Sequence, residues 1–285
     1  MIADKLYEEA VKHQGVCVGL DTLEAYFPNY LIEQDAGIDE KLWKFNQKVI
    51  DATKDEVACY KVQIACYEAY GLKGLQAYSK TLKYIRDNGK IVIADVKRGD
   101  IFSTAKQYAK AHFTGDFEAD YITVNTYMGE DAISPYYDYI KNQNKGLFAL
   151  VKTSNPSGVD LQDVKTKDGK RVYQQMAQKV NEWGSSFRGK CGFSAIGAVV
   201  GLTYAEEFEN IREDLSHTFL LIPGYGAQGG TGEDIAKIFK KGLCGVVNSS
   251  RAIISAHKGI DESENFAQCA LDSVIKMKED IGQWL

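Results

Sequence analysis

Proline is scarce in this chain, at 4 of 285 residues, which leaves no room for a proline-rich linker or an extended recognition tract. Six cysteines occur (Cys17, Cys59, Cys66, Cys191, Cys244, Cys269), but no two are spaced Cys-x-x-Cys and most sit among apolar neighbours. That is how small buried thiols read in a reducing compartment, and a structural zinc site is not expected. The four histidines, His13, His112, His217 and His257, share neither a strand end nor a metal-ligand spacing, so structural or surface roles are expected for them. No apolar run approaches the ~20 residues of a membrane span, and acidic residues stand near the start of the chain where a signal peptide would need an apolar stretch. A cytoplasmic protein is expected. Lys plus Arg total 34 against 39 Asp plus Glu, a net charge of −5, and no long basic run offsets that balance. A nucleic-acid backbone or an anionic membrane surface is therefore not indicated as a partner, and any phosphate site must be local.

Eight short apolar, β-branched runs recur instead: Val16 to Leu20, Val57 to Tyr60, Ile91 to Ala94, Tyr121 to Val124, Leu147 to Val151, Ile196 to Gly201, Thr218 to Ile222 and Cys244 to Val247. They are nearly continuous rather than alternating, as strands buried on both faces of a parallel sheet are. Helix-sized segments lie between them. Leu75, Tyr78, Leu82 and Ile85 share one face before Asn88-Gly89 ends the pattern, and Thr231 with Asp234 caps a segment that buries Ile235, Ile238 and Phe239. The Gly-x-Gly-x-x-Gly turn of a dinucleotide-binding sheet is missing after the first run. Eight βα units thus point to an α/β fold of the (β/α)8 TIM-barrel type, one domain over residues 1–285. Two connections, Asp21 to Glu56 and Lys152 to Ala195, exceed a minimal loop; the second carries a polar stretch, Asp160 to Arg171. Tyr67, Tyr70 and Tyr78 read as core or interface residues rather than a stacking platform for bases.

Barrel chemistry sits where strands end. Strand one is followed by Asp21, strand two by Lys61, strand three by Asp95-Val96-Lys97-Arg98-Gly99-Asp100, strand four by Asn125 and strand five by Lys152-Thr153-Ser154-Asn155. Residues two apart on a strand share a face, so Asp95 and Lys97 are expected to enter the barrel mouth together, with Lys61 and Asp21 arriving from neighbouring strands. Any one charge at a strand end is ordinary solvation. An alternating cluster of acids and lysines is costly to desolvate, and so marks a functional site. A lysine between carboxylates stays protonated and serves as a general acid. After strand seven comes Pro223-Gly224-Tyr225-Gly226-Ala227-Gln228-Gly229-Gly230-Thr231, and after strand eight Asn248-Ser249-Ser250-Arg251. Glycines admit an anion to backbone N–H groups, and Arg251 offers a planar bidentate contact, at the loops where many barrels hold phosphate.

With these motifs in this order, the chain resembles the orotidine 5′-phosphate decarboxylase family, in its longer bacterial subgroup, from about the first strand to the last. The resemblance rests on Asp95-Val96-Lys97-Arg98-Gly99-Asp100-Ile101, supported by Tyr60-Lys61-Val62-Gln63, Thr153-Ser154-Asn155-Pro156 and the two phosphate loops. It implies a catalytic array of Lys61, Asp95, Lys97 and Asp100. Asp21 would join Lys61 near the ribose hydroxyls and Ser154 would meet the pyrimidine. Gln228, Gly229, Gly230, Ser250 and Arg251 would hold the 5′-phosphate. It also implies a homodimer with shared sites, in which Asp100, Ile101 and Thr104 reach a partner's substrate. The implied reaction converts orotidine monophosphate to UMP and CO2 without metal or other cofactor. Metal-dependent sugar-phosphate enzymes share the Asp-x-Lys-x-x-Asp pattern but carry an acidic residue where this chain has Lys61, whose ammonium would repel a divalent cation. A non-catalytic phosphate-binding barrel would have no use for the charged array.

Overall fold

A computed structural model of the chain describes residues 1–202, 207–226 and 229–284. Eight parallel strands close into a barrel in chain order: β1 (Val16–Leu20), β2 (Cys59–Gln63), β3 (Ile91–Arg98), β4 (Tyr121–Val124), β5 (Gly146–Lys152), β6 (Ser194–Val200), β7 (Thr218–Pro223) and β8 (Gly245–Ser249). β8 returns to pair with β1, so the sheet has no free edge. The expected (β/α)8 fold is what the chain adopts.

Burial explains the apolar runs. Every residue of β1, β4, β6 and β8 is buried, one face against the barrel interior and the other against the surrounding helices. The helix Gly71–Asp87 buries Tyr78, Leu82 and Ile85 and stops at Asn88, after which Gly89 turns the chain at φ 75°. The helix Gly232–Phe239 starts at Thr231, whose hydroxyl accepts the Asp234 N–H, and it buries Ile235, Ile238 and Phe239. Tyr67 and Tyr78 are core residues, and so are His13, His112 and His257.

Only β1 and β4 coincide with the apolar runs, and three of the other strands overrun them at the C-terminal end by two residues or more, for one reason. β2, β3 and β8 run two to four residues past the ends of those runs, through Gln63, Arg98 and Ser249. Pairing continues there while alternate side chains, Lys61, Gln63, Asp95, Lys97 and Asn248, turn polar, because these line a cleft rather than a dry core. The ladder between β3 and β4 also shifts register between Ala94 and Arg98, and Lys97 inside that shift adopts a left-handed backbone, φ 43°. The simple alternation expected to bring Asp95 and Lys97 to one face is therefore broken, and a different contact joins them.

Candidate active site

A cleft of about 600 Å³ opens at the C-terminal ends of the strands. Its lining includes Asp21, Lys61, Asp95, Lys97, Ser154, Ser250 and Arg251 from the sequence-based set. Lys61 lies at its base and is buried, because β2 pairs on both sides around it. Its Nζ donates to Asp21 Oδ1 at 2.8 Å and to Asp95 Oδ2 at 3.2 Å. Lys97 Nζ donates to the other oxygen, Asp95 Oδ1, at 2.7 Å. Acid, base, acid and base thus form one continuous chain across β1, β2 and β3. The Lys97 side chain is about half exposed, against 6% for that of Lys61, so Lys97 is the ammonium open to a ligand.

Two further residues hold the array: Gln63, which the Tyr60–Gln63 motif contains without a role, and Thr123. Gln63 Nε2 donates to Asp95 Oδ2 at 2.9 Å, two residues along β2 from Lys61 and therefore on the same face. Thr123 on β4 donates its hydroxyl to Asp95 Oδ1 at 2.8 Å and accepts the backbone N–H groups of Val96 and Lys97 at 3.0 and 2.9 Å. The hydroxyl replaces the ladder bonds that the register shift removes, and all its hydrogen-bonding capacity is used. Gln63 was legible from period two; Thr123 was not, since a β-branched residue in a strand ordinarily reads as packing.

The electrostatics follow from these contacts. Burial pushes the Asp95 carboxyl up, but the ammonium groups of Lys61 and Lys97, with hydrogen bonds from Lys97 and Thr123, outweigh burial and hold it at about 2. Burial disfavours the Lys61 charge, yet Asp21 and Asp95 outweigh it and raise Lys61 above the ordinary lysine value. At neutral pH the array carries fixed charges of both signs.

The β7 and β8 ends build the second part of the cleft. Pro223, Gly224, Tyr225, Asn248, Ser250 and Arg251 line it. Asn248 Nδ2 donates to Ser250 Oγ at 3.2 Å, and Gly19 on β1 leaves room for both, since a Cβ there would stand 1.9 Å from Ser250 Oγ. Gly224, Gly226 and Gly229 all have positive φ, a conformation that favours glycine. The Gly229 and Gly230 N–H groups donate to Gly226 O at 2.9 Å and Gly224 O at 3.2 Å, so both already close the turn on itself. Asp280, from the helix Ala267–Gly282, pins that turn from behind: Oδ2 accepts the Tyr225 hydroxyl at 2.6 Å and the Gly232 N–H at 2.8 Å. Gln228 lies outside the described residues.

Asp100, Ile101 and Thr104 are not among the residues lining the cleft. Asp100 Oδ1 accepts the N–H of Ile101, and Ile101 and Phe102 project into solvent at the start of the helix Phe102–Phe113. Within one chain the structure brings together Asp21, Lys61, Asp95 and Lys97, and leaves these three outside.

Fold and site together define a (β/α)8 barrel with a charged cleft at the catalytic mouth. A family model described as orotidine 5′-phosphate decarboxylase / HUMPS family matches residues 14–266. Orotidine 5′-phosphate decarboxylases of Clostridium botulinum and Clostridium tetani are 54% identical over 282 residues and 51% over 283; each alignment covers 99% of this chain, and 99% and 98% of the relative respectively. The solved structure of Leishmania donovani OMP decarboxylase superposes with a TM-score of 0.73 at 25% identity, covering 98% of each chain. The chain belongs to the orotidine 5′-phosphate decarboxylase / HUMPS family.

Proposed function

We propose that this protein decarboxylates orotidine 5′-monophosphate to UMP, a step of pyrimidine biosynthesis in the cytoplasm. The observation that carries the reading is the unbroken chain Asp21–Lys61–Asp95–Lys97 in a cleft that Arg251 and Ser250 also line. The curated relatives that match nearly the full chain bear that activity in their names.

In this reading Arg251 and Ser250 anchor the 5′-phosphate and Asp21 and Lys61 meet the ribose hydroxyls. The pyrimidine then lies by Ser154, with C6 over Lys97. The C6–carboxylate bond breaks, CO2 leaves, and the electron pair stays on C6. Lys97 first stabilises that developing charge and then donates its Nζ proton to C6, completing UMP; solvent returns a proton to Lys97. Asp95 holds the Lys97 ammonium in place. Standing beside the departing carboxylate, it also adds like-charge repulsion in the ground state. Energy from the remote phosphate contact goes into holding the reacting carbon at Lys97.

The reaction is read as free of metal and cofactor, because both Asp95 oxygens already accept ammonium, hydroxyl and amide donors and two lysines beside it repel a cation. The protein is read as a homodimer. Asp100, Ile101 and Thr104 lie away from their own cleft, next to the exposed apolar pair Ile101 and Phe102, and a second copy would give them a site to complete. Ultraviolet absorbance of orotidine monophosphate mixed with the protein in EDTA tests the reading. Rapid conversion to the UMP spectrum supports it; conversion only after Mg2+ is added, or none at all, overturns it.

A further inference from the structure

The Asp160–Arg171 stretch exceeds what a barrel loop needs, and its contacts show what it does. Lys152, the last residue of β5, is buried, and its Nζ meets the carboxylate of Asp163 and stands 4.6 Å over the Tyr173 ring. Asp163 Oδ1 also accepts Arg171 Nη1 at 3.0 Å. Between Asp163 and Arg171 the chain makes a small hairpin, with Val172 N–H donating to Val164 O at 3.0 Å and Thr166 N–H to Lys170 O at 2.8 Å. One carboxylate thus ties the strand end, the hairpin base and the start of the helix Val172–Gly184 together.

The neighbouring residue faces the cleft wall. Gln162 Oε1 accepts the Thr153 N–H at 3.0 Å, and its Nε2 donates to Thr153 Oγ1 at 2.6 Å. Thr153 Oγ1 in turn donates to Asn155 Oδ1 at 2.7 Å. Thr153, Ser154 and Asn155 all line the cleft, while neither Gln162 nor Asp163 does. Gly158 leaves the space: a Cβ there would stand 3.2 Å from Gln162 Oε1 and 3.3 Å from Thr153 Oγ1.

We propose that Gln162 is a positioning residue for substrate binding, held in place by the Lys152–Asp163–Arg171 cluster, so that the Asp160–Arg171 segment is a built-in brace for the Thr153–Asn155 wall. The inference rests on the substrate reading given above. A wall that contacts bound ligand equally in ground and transition states affects KM rather than kcat. Removing both side-chain bonds in Gln162→Leu is therefore expected to raise KM for orotidine monophosphate and Kd for UMP about tenfold. The same variant should leave kcat within about twofold and the melting temperature within a few degrees. Gln162→Glu keeps the acceptor for the Thr153 N–H but has no proton to donate to Thr153 Oγ1, and should recover part of the loss. Gln162 is half-buried, so neither change threatens the core. Asp163→Asn, which weakens the tie to Lys152, should shift KM in the same direction. Unchanged KM and Kd in Gln162→Leu, or a Gln162→Glu protein as weak as Gln162→Leu, would overturn the brace. Failure of the parent protein to turn over orotidine monophosphate would instead overturn the substrate reading, so the two failures separate.

Discussion

Thr123 gives its hydroxyl proton to Asp95 Oδ1 while taking the N–H groups of Val96 and Lys97. One β4 side chain therefore sets both the acid at the centre of the array and the left-handed turn, φ 43°, that carries Lys97 to it. Thr123→Val keeps the shape but strands two N–H groups and frees the carboxylate. We expect it to cost about 2–4 kcal/mol of stability and to lower kcat about tenfold or more, whereas Thr123→Ser retains most of both. Chemical denaturation and steady-state kinetics on the two variants check this; a fully active Thr123→Val would contradict it.

Acid should unfold the protein in two stages. Burial, then the Arg98 charge, pushes His112 down to about 4 from 6.5, and its Nε2 accepts Arg98 Nε at 3.1 Å. The unfolded chain takes up that proton first, so stability falls as pH drops from about 6.5 to 4 and not further. Buried His13 and His257 are lowered as well and add to this stage. Asp95, lowered from 3.8 to about 2, contributes stability that is complete above its unfolded value and is lost as pH falls through its folded one. His112 and Asp95 are each worth roughly 2–4 kcal/mol. Melting curves between pH 7.5 and 4.5 should show a shallower acid decline for His112→Gln, which still offers Arg98 an acceptor. An unchanged slope would argue against a neutral buried His112.

Gly19 faces the β8 end of the cleft, where a Cβ would stand 1.9 Å from Ser250 Oγ and 2.9 Å from Asn248 Oδ1. Gly19→Ala should displace Ser250, lower the melting temperature and weaken UMP binding. Adding Ser250→Gly should restore much of the melting temperature without restoring binding. Calorimetry on the single and double variants separates the two effects, and a thermally neutral Gly19→Ala would show that this end of the cleft yields easily.

Arg251 tests the phosphate reading. Arg251→Ala is expected to lower kcat/KM for orotidine monophosphate by about a hundredfold or more while leaving the slow turnover of orotidine, which lacks the phosphate, nearly unchanged. Equal losses on both substrates would place Arg251 outside phosphate binding.

Period and composition revealed the barrel because the apolar runs of the eight strands are almost wholly buried, and Asp21, Lys61, Asp95, Lys97 and Arg251 stood out as charges at the ends of those runs. What escaped has physical causes. Thr123 acts through hydrogen bonds across strands, which no spacing along one strand shows, whereas Gln63 shares the face of Lys61 two residues away and its role followed from period two. Lys97 arrives by a register shift, invisible to a rule built on regular alternation. Asp280 pins the glycine-rich turn from a helix about 50 residues further along the chain, a contact that only folding creates. Asp100, Ile101 and Thr104 came into view through family resemblance, and one folded chain gives them no site of their own.

The most direct test of the central claim compares the protein with Lys97→Ala on orotidine monophosphate in EDTA, with UMP binding measured in parallel. Lys97 combines contact with Asp95, an ammonium proton to give and a side chain about half exposed to the cleft. The expected result is rapid conversion by the parent, a loss of at least about a thousandfold in the variant, and UMP affinity that survives the substitution within about tenfold. Undiminished turnover by Lys97→Ala would contradict the assignment of the proton donor, and with it the role given to the charged array.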